Sequence, residues 1–225
     1  MRFLFLISFC LYFITSKIFA QDSCRLAVGI NLINNVTYLL TSNYKYNGGF
    51  AIEPVLNVKC NDYFKSRTVV GYTKTSGIYE VGDLLFSNQK TNYQNSGFYV
   101  KSGMFTNFTK EKGLFHNAIG LSLLYSNYKQ SGDFVIYGNY FGNYIGTYHN
   151  RNQQVLAIEP SLDLSIFEHK YFIINANINF PIVFYSKTND DSPNYFIPGI
   201  GRTQQRSFYE PFFYRFDIYL HIPMR

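Results

Sequence analysis

The chain has 225 residues, with 20 Lys+Arg against 14 Asp+Glu and a formal charge of +6. Only 15% of residues are charged, whereas 20% are aromatic, all of them Tyr or Phe with no Trp. Such aromatic wealth excludes a disordered chain, and basic residues that form no cluster exclude a nucleic-acid binder.

Residues 1–20 read as a secretory signal. Arg2 opens it, Phe3 to Ile14 form an apolar run, and Ile18 and Ala20 precede cleavage before Gln21. The run is too short to cross a bilayer. Phe9 stands where a lipidated Cys10 would need a small residue, so the leader is expected to be cleaved. Removing Arg2 and Lys17 leaves 18 basic and 14 acidic residues in a single domain, 21–225. No later stretch reaches the ~20 apolar residues of a membrane helix. Two cysteines persist, Cys24 and Cys60, and export permits a disulfide between them.

From Arg25 onward the dominant period is two, the signature of strands. Leu26, Val28, Ile30 and Leu32 form the first apolar face, and Phe50, Ile52, Pro54, Leu56 and Val58 the second. The third is Thr68, Val70 and Tyr72; the fourth is Phe98, Val100 and Met104; the fifth is Ile119, Leu121, Leu123 and Tyr125. The sixth runs from Ile158 to Ile166, the seventh from Phe172 to Phe184, and the eighth from Tyr214 to Ile222, each on alternate residues. Connections alternate as well. Long ones are expected at roughly 35–48, 75–96, 129–152 and 186–211, and short turns at about 61–63, 109–116 and 168–170. An even number of strands, with long loops at one end and short turns at the other, predicts an all-β, eight-stranded antiparallel up-and-down transmembrane β-barrel, its short turns periplasmic and its long loops extracellular.

The charges support that polarity. Arg25, Glu53, Lys59, Lys65, Arg67, Lys101, Glu159, Asp163, Arg215 and Asp217 fall on the face opposite the apolar one. A Lys or Arg toward lipid at mid-depth costs about 2–4 kcal/mol, so this set is expected to turn inward. Both signs are present, which predicts a luminal network of ion pairs. Eight strands leave room for little beyond their own side chains, so the lumen is expected to be plugged. Aromatics near strand ends, such as Phe50, Tyr63, Phe64, Tyr72, Phe98, Tyr125, Phe167 and Tyr171, would form interfacial rings. One register places Cys24 opposite Cys60 and pairs Leu26 with Val58, Val28 with Leu56, Ile30 with Pro54 and Leu32 with Ile52, so a disulfide at the periplasmic rim is a candidate. A near-repeat, Ala51–Ile52–Glu53–Pro54 and Ala157–Ile158–Glu159–Pro160, places an inward Glu beside a strand proline twice.

Several short motifs are similar to those of a family of small bacterial outer-membrane β-barrels classed as a domain of unknown function. They include Tyr195–Phe196–Ile197–Pro198–Gly199–Ile200–Gly201, Phe212–Phe213–Tyr214 and the ending Tyr219–Leu220–His221–Ile222–Pro223–Met224, along with Gly71–Tyr72, Gly97–Phe98–Tyr99, Gly103, Gly120 and Glu159. The family pattern ends on an aromatic after Ile-Pro, where this chain has Met224 and Arg225. The resemblance implies the barrel fold and carries no activity.

Chemistry is sparse. His116 and His169 fall in short turns, His149 lies in the third long connection with no Ser nearby in sequence, and His221 shares a face with Asp217. A buried luminal His221–Asp217 pair is expected rather than a catalytic set, since no nucleophile accompanies it. No metal-ligand spacing occurs, and no cofactor is expected. The third connection is rich in aromatics, including Phe134, Tyr137, Tyr140, Phe141, Tyr144 and Tyr148. These either offer a recognition surface or pack together on a hairpin extending beyond the membrane. The reading is thus a monomeric outer-membrane barrel of structural or surface-recognition type, not an enzyme. Its expected partners are outer-membrane lipids and, during biogenesis, periplasmic chaperones and the barrel-assembly machinery. The alternatives are an outer-membrane lipid-modifying enzyme and a soluble, lipocalin-like barrel with the reverse polarity.

Overall fold

Successive side chains of a strand point to opposite faces, so strict alternation gives every segment one apolar and one polar face, which must meet different surroundings. The computed structural model describes residues 24–32, 44–59, 63–82, 88–108, 117–137, 142–187, 196–202 and 215–224. They form β1 (Arg25–Asn31), β2 (Tyr44–Ile52), β3 (Pro54–Lys59), β4 (Phe64–Gly82), β5 (Asn88–Asn107), β6 (Ala118–Tyr137), β7 (Tyr144–Glu168), β8 (Ile173–Asn179), β9 (Ile182–Lys187), β10 (Phe196–Ile197), β11 (Gly201–Arg202) and β12 (Arg215–Met224). The expected signal, 1–20, lies outside the described residues.

These strands make eight staves. β2 and β3 both pair with β4 and form one stave interrupted at Glu53, where Pro54 contributes no ladder donor. β8 and β9 both pair with β7, interrupted at Phe180–Pro181. Every neighbouring pair is antiparallel, and the ring closes where β1 meets β12, with Val28 opposite Ile222 and Ile30 opposite Leu220. β1 also pairs with β3 in the register read from the sequence, Leu26 to Val58 and Val28 to Leu56. Closure leaves every stave paired on both sides at the base of the barrel, which removes the open edges of a flat sheet.

Two connections expected as loops are strand. Within 75–96, β4 continues to Gly82 and β5 begins at Asn88 with their ladder unbroken, and within 129–152 β6 continues to Tyr137 and β7 begins at Tyr144. The alternation is still there: Thr73, Thr75 and Gly77 face inward while Lys74 and Ser76 face outward. Both faces are polar, so hydropathy alone reads the segment as a loop. About ten residues suffice to cross an apolar slab, yet β7 has 25. The surplus carries β4 to β7 beyond the slab as a projecting wall. A bulge at Asn152, whose φ is 58°, shifts the β6–β7 register between Tyr128 and Gln130; Asn tolerates that left-handed conformation better than most residues. The fourth connection also departs from a simple loop. Its residues 196–202 form the β10–β11 hairpin, with Ile197, Pro198, Gly199 and Ile200 buried.

Candidate functional site

The interior at the turn end of the barrel is built from alternate residues of six staves. Four cations (Lys59, Lys65, Arg67, Lys101) and four carboxylates (Glu53, Glu159, Asp163, Asp217) are buried there, so the described interior balances its own charge. Asp163 on β7 is the hub. Lys65 and Arg67 of β4 reach it across the lumen, Arg67 Nη2 at 2.8 Å. The amides of Asn175 and Asn177 donate to the same carboxylate. Lys101 Nζ donates to both oxygens of Glu159 at 2.8 and 2.9 Å. The Arg67 guanidinium lies 4.7 Å from the Phe105 ring centroid and 5.2 Å from that of Tyr219, within cation–π reach of both. Burying charge this deeply is tolerable only when each group is matched and hydrogen-bonded.

Toward the projecting wall, Asn31 bridges two carboxylates, donating to Glu53 at 3.1 Å and Asp217 at 2.7 Å. Tyr219 donates its hydroxyl to Glu53, and Asn179 its amide to Asp217. The space enclosed by Arg67, Lys101, Phe105, Glu159, Asn177 and Tyr219 is about 10 Å³, near the lower limit for a single water. Inward glycines create the room for large rings. A Cβ on Gly71 would sit 2.1 Å from the Tyr99 ring, and one on Gly120 would sit 2.3 Å from Phe105.

A different layer caps this network. Leu124, Tyr128, Val155 and Ala157 point inward and pack with Ile197 and Ile200 of the infolded hairpin. Gly199, at φ 82°, turns the hairpin tip against Tyr99 and Leu124, a conformation glycine adopts without penalty. The lumen is therefore layered: charged at the base, with an apolar contact between the hairpin and β6–β7 above it, and neutral polar side chains such as Asn95, Ser126, Gln130 and Gln153 still buried at and beyond that height.

The sequence-derived residues distribute as follows. Glu53, Lys59, Lys65, Arg67, Lys101, Glu159, Asp163 and Asp217 are all buried inside. Arg25 shares their parity but is exposed, because it stands at the mouth where β1 begins. The side chain of Arg215 lies outside the described residues. The expected His221–Asp217 pair does not form: four strand residues separate the two by about 13 Å. His221 instead contacts Asn57 through Nδ1 at 3.1 Å and stacks on Tyr219. Ser131 stands directly opposite His149 across β6 and β7, a neighbour that linear spacing conceals. Cys24 is disulfide-bonded, while Cys60 lies outside the described residues, as do His116, Tyr140 and Phe141. Phe134, Tyr137, Tyr144 and Tyr148 are strand residues of the projecting wall, with Phe134 and Tyr144 in ring contact at 5.8 Å. Sequence reasoning missed Asn31, Asn57, Asn175, Asn177, Asn179 and Tyr219; the period-two run of asparagines on β8 was the available signal.

The outer surface is the inverse of the lumen. Val70 is 49% exposed, Leu121 57% and Ile222 57%, whereas Lys65 is 1% exposed and Asp163 is fully buried. Two aromatic rings bound this apolar belt: Phe50, Tyr72, Phe98 and Tyr125 above, and Tyr63, Phe64, Phe108, Phe167 and Tyr171 below. About ten residues separate them on β5, from Phe98 to Phe108. No described charged side chain faces outward between the rings. Its polar residues are uncharged: Ser66 and Thr106 lie near the lower ring, and Thr68 and Ser102 are cross-strand partners with their hydroxyls 3.4 Å apart.

Together these features define a closed eight-stave barrel with an apolar exterior and a charged, filled interior. No family model matches the chain, so the family resemblance rests on its short motifs. Nor does any curated protein match. Among solved structures the chain is similar to Ail, the attachment invasion locus protein of Yersinia pestis, at 10% identity and a TM-score of 0.34, over 89% of this chain and 97% of that one. At that level the likeness assigns neither function nor site.

Proposed function

We propose that this chain is an integral outer-membrane protein, a sealed monomeric β-barrel of structural or surface-recognition type that performs no catalysis. One observation carries this reading: the closed barrel is inside out, with aliphatic side chains on its exterior belt and ion pairs at its axis. In water that arrangement would expose a continuous apolar band far larger than a soluble monomer tolerates. In a bilayer it is what closure demands, because hydrocarbon offers no partner for a free backbone group. A lipocalin-like barrel would need the opposite polarity. The aromatic rings match the two interfaces of such a slab, and the belt they bound is the height that strands of about ten residues cross.

Surface recognition is favoured over a purely structural role by the projecting wall. Its outermost described residues include Tyr144, 64% exposed, and Ile145, 71% exposed, apolar side chains held on paired strands well above the belt. The test is fractionation with heat-modifiability: the protein should stay with membranes through carbonate washing and migrate faster in detergent gels when unheated. Release into the soluble fraction would overturn the assignment.

A further inference from the structure

Just above the upper aromatic ring, the outer face of the wall changes character. Phe50, Lys74, Ser96 and Lys129 form one cross-strand row on β2, β4, β5 and β6: Phe50 pairs with Lys74, Lys74 with Ser96, and Ser96 with Lys129. Beside Lys129 the bulge on β7 presents Arg151 and Asn152, both exposed. His149 follows one row higher, opposite Ser131. Phe50, Lys74, Ser96, Lys129, Ser131 and His149 line a concavity of about 710 Å³, and Arg151 and Asn152 line a second one beside it that shares Lys129 and His149. The first is the size of a site for a small molecule or headgroup.

We infer that this concavity binds the phosphate-bearing headgroup of a lipid in the surrounding leaflet; the inference rests on the membrane reading above. Neighbouring strands lie about 4.8 Å apart, so Lys74 and Lys129 are held about 10 Å apart with the short Ser96 between them. Two long ammonium side chains can converge over that serine on one anion, and its hydroxyl supplies a third donor. Charge-assisted bonds of this kind are the strong ones. No described carboxylate pairs with Lys74, Lys129 or Arg151, in contrast to the ion-paired cations at the base of the lumen. Asp133, the carboxylate higher on the same face of β6, is four residues from Lys129, about 13 Å along the strand.

Height selects the occupant. Tyr72 and Phe98, directly paired, sit two residues below Lys74 and Ser96, about 7 Å lower. Aromatic rings of that kind lie at headgroup level, so a cation one row above them faces lipid phosphates. The acyl chains of the same lipid would continue down over Tyr72, Val70 and Val100, which are exposed on the belt below.

The test is native mass spectrometry of the full-length protein in detergent. The probe is a diphosphorylated, acylated glycolipid, with phosphatidylcholine as the zwitterionic arm and inorganic phosphate as the arm without acyl chains. The double variant Lys74→Gln/Lys129→Gln should lose glycolipid adducts roughly ten- to thirtyfold. Lys74→Arg/Lys129→Arg should retain them, and so should Lys170→Gln at the opposite rim. Equal adducts on the wild type and the glutamine variant overturn the inference, and so does displacement of the glycolipid by an equal concentration of inorganic phosphate. Each protein is also run unheated in a detergent gel. Loss of the heat-dependent shift in the wild type refutes the membrane reading itself, a result distinct from a wild type that shifts but shows no lysine-dependent adduct.

Discussion

The two levels of the lumen reach the same end by different routes. At the base, strand side chains seal the axis with ion pairs whose members come from β4, β5 and β7. Above, the wall contributes only half of the seal, and the infolded β10–β11 hairpin supplies the rest through Ile197 and Ile200. The base is thus part of the fold, since removing one partner leaves a buried charge. The cap is an accessory, since removing it leaves uncharged walls and an intact hydrogen-bonded ring.

That difference orders the expected effects of substitution. Asp163→Leu strands Lys65 and Arg67 together and should cost about 3–5 kcal/mol, read as a collapse of the urea unfolding midpoint in lipid vesicles. Glu159→Leu alone should also be costly, but combined with Lys101→Met the loss should fall to within about 1 kcal/mol of wild type, because both charges leave together. A double cycle that is merely additive would break the ion-pair account of the base. Gly120→Val pushes into the Phe105 ring and should destabilise by about 1–3 kcal/mol. Replacing residues 196–202 with a flexible linker should leave the heat-dependent gel shift in place. Planar-bilayer conductance should stay at baseline, since the base is already closed; open-channel currents would show that the hairpin is the real seal. Smallest of all, Ser102→Ala on the belt should change stability by no more than about 0.5 kcal/mol.

The same contrast explains what could be read from sequence. A network made of strand residues is legible, because parity alone assigns Lys65, Arg67, Lys101, Glu159 and Asp163 to one face. Parity assigns a face and nothing more: His221 and Asp217 share one, yet their four-residue spacing along β12, about 13 Å, already keeps them apart. Nor does it identify neutral partners: Asn31 and Tyr219 bind carboxylates, but their residue types carry no sign that would mark them. The hairpin was illegible for another reason. Nothing in the periodicity of 186–211 states whether a connection projects outward or folds into the barrel. Its clue was the Ile197–Pro198–Gly199–Ile200 run, apolar residues around a turn, which has little reason to sit in water. The projecting strands were hidden because neither face is consistently apolar: Thr73 to Ser76 are polar on both faces, and on β6–β7 the aromatics fall among polar residues on both.

The chain contains no Trp, so a single introduced indole reports its own surroundings. Leu121→Trp and Val100→Trp, on the exterior belt, should be quenched strongly by lipids brominated on their acyl chains and shielded from aqueous iodide. Gln94→Trp, on the projecting wall, should show the reverse. Iodide quenching of the Leu121→Trp protein, with no response to brominated lipid, would contradict the inside-out barrel.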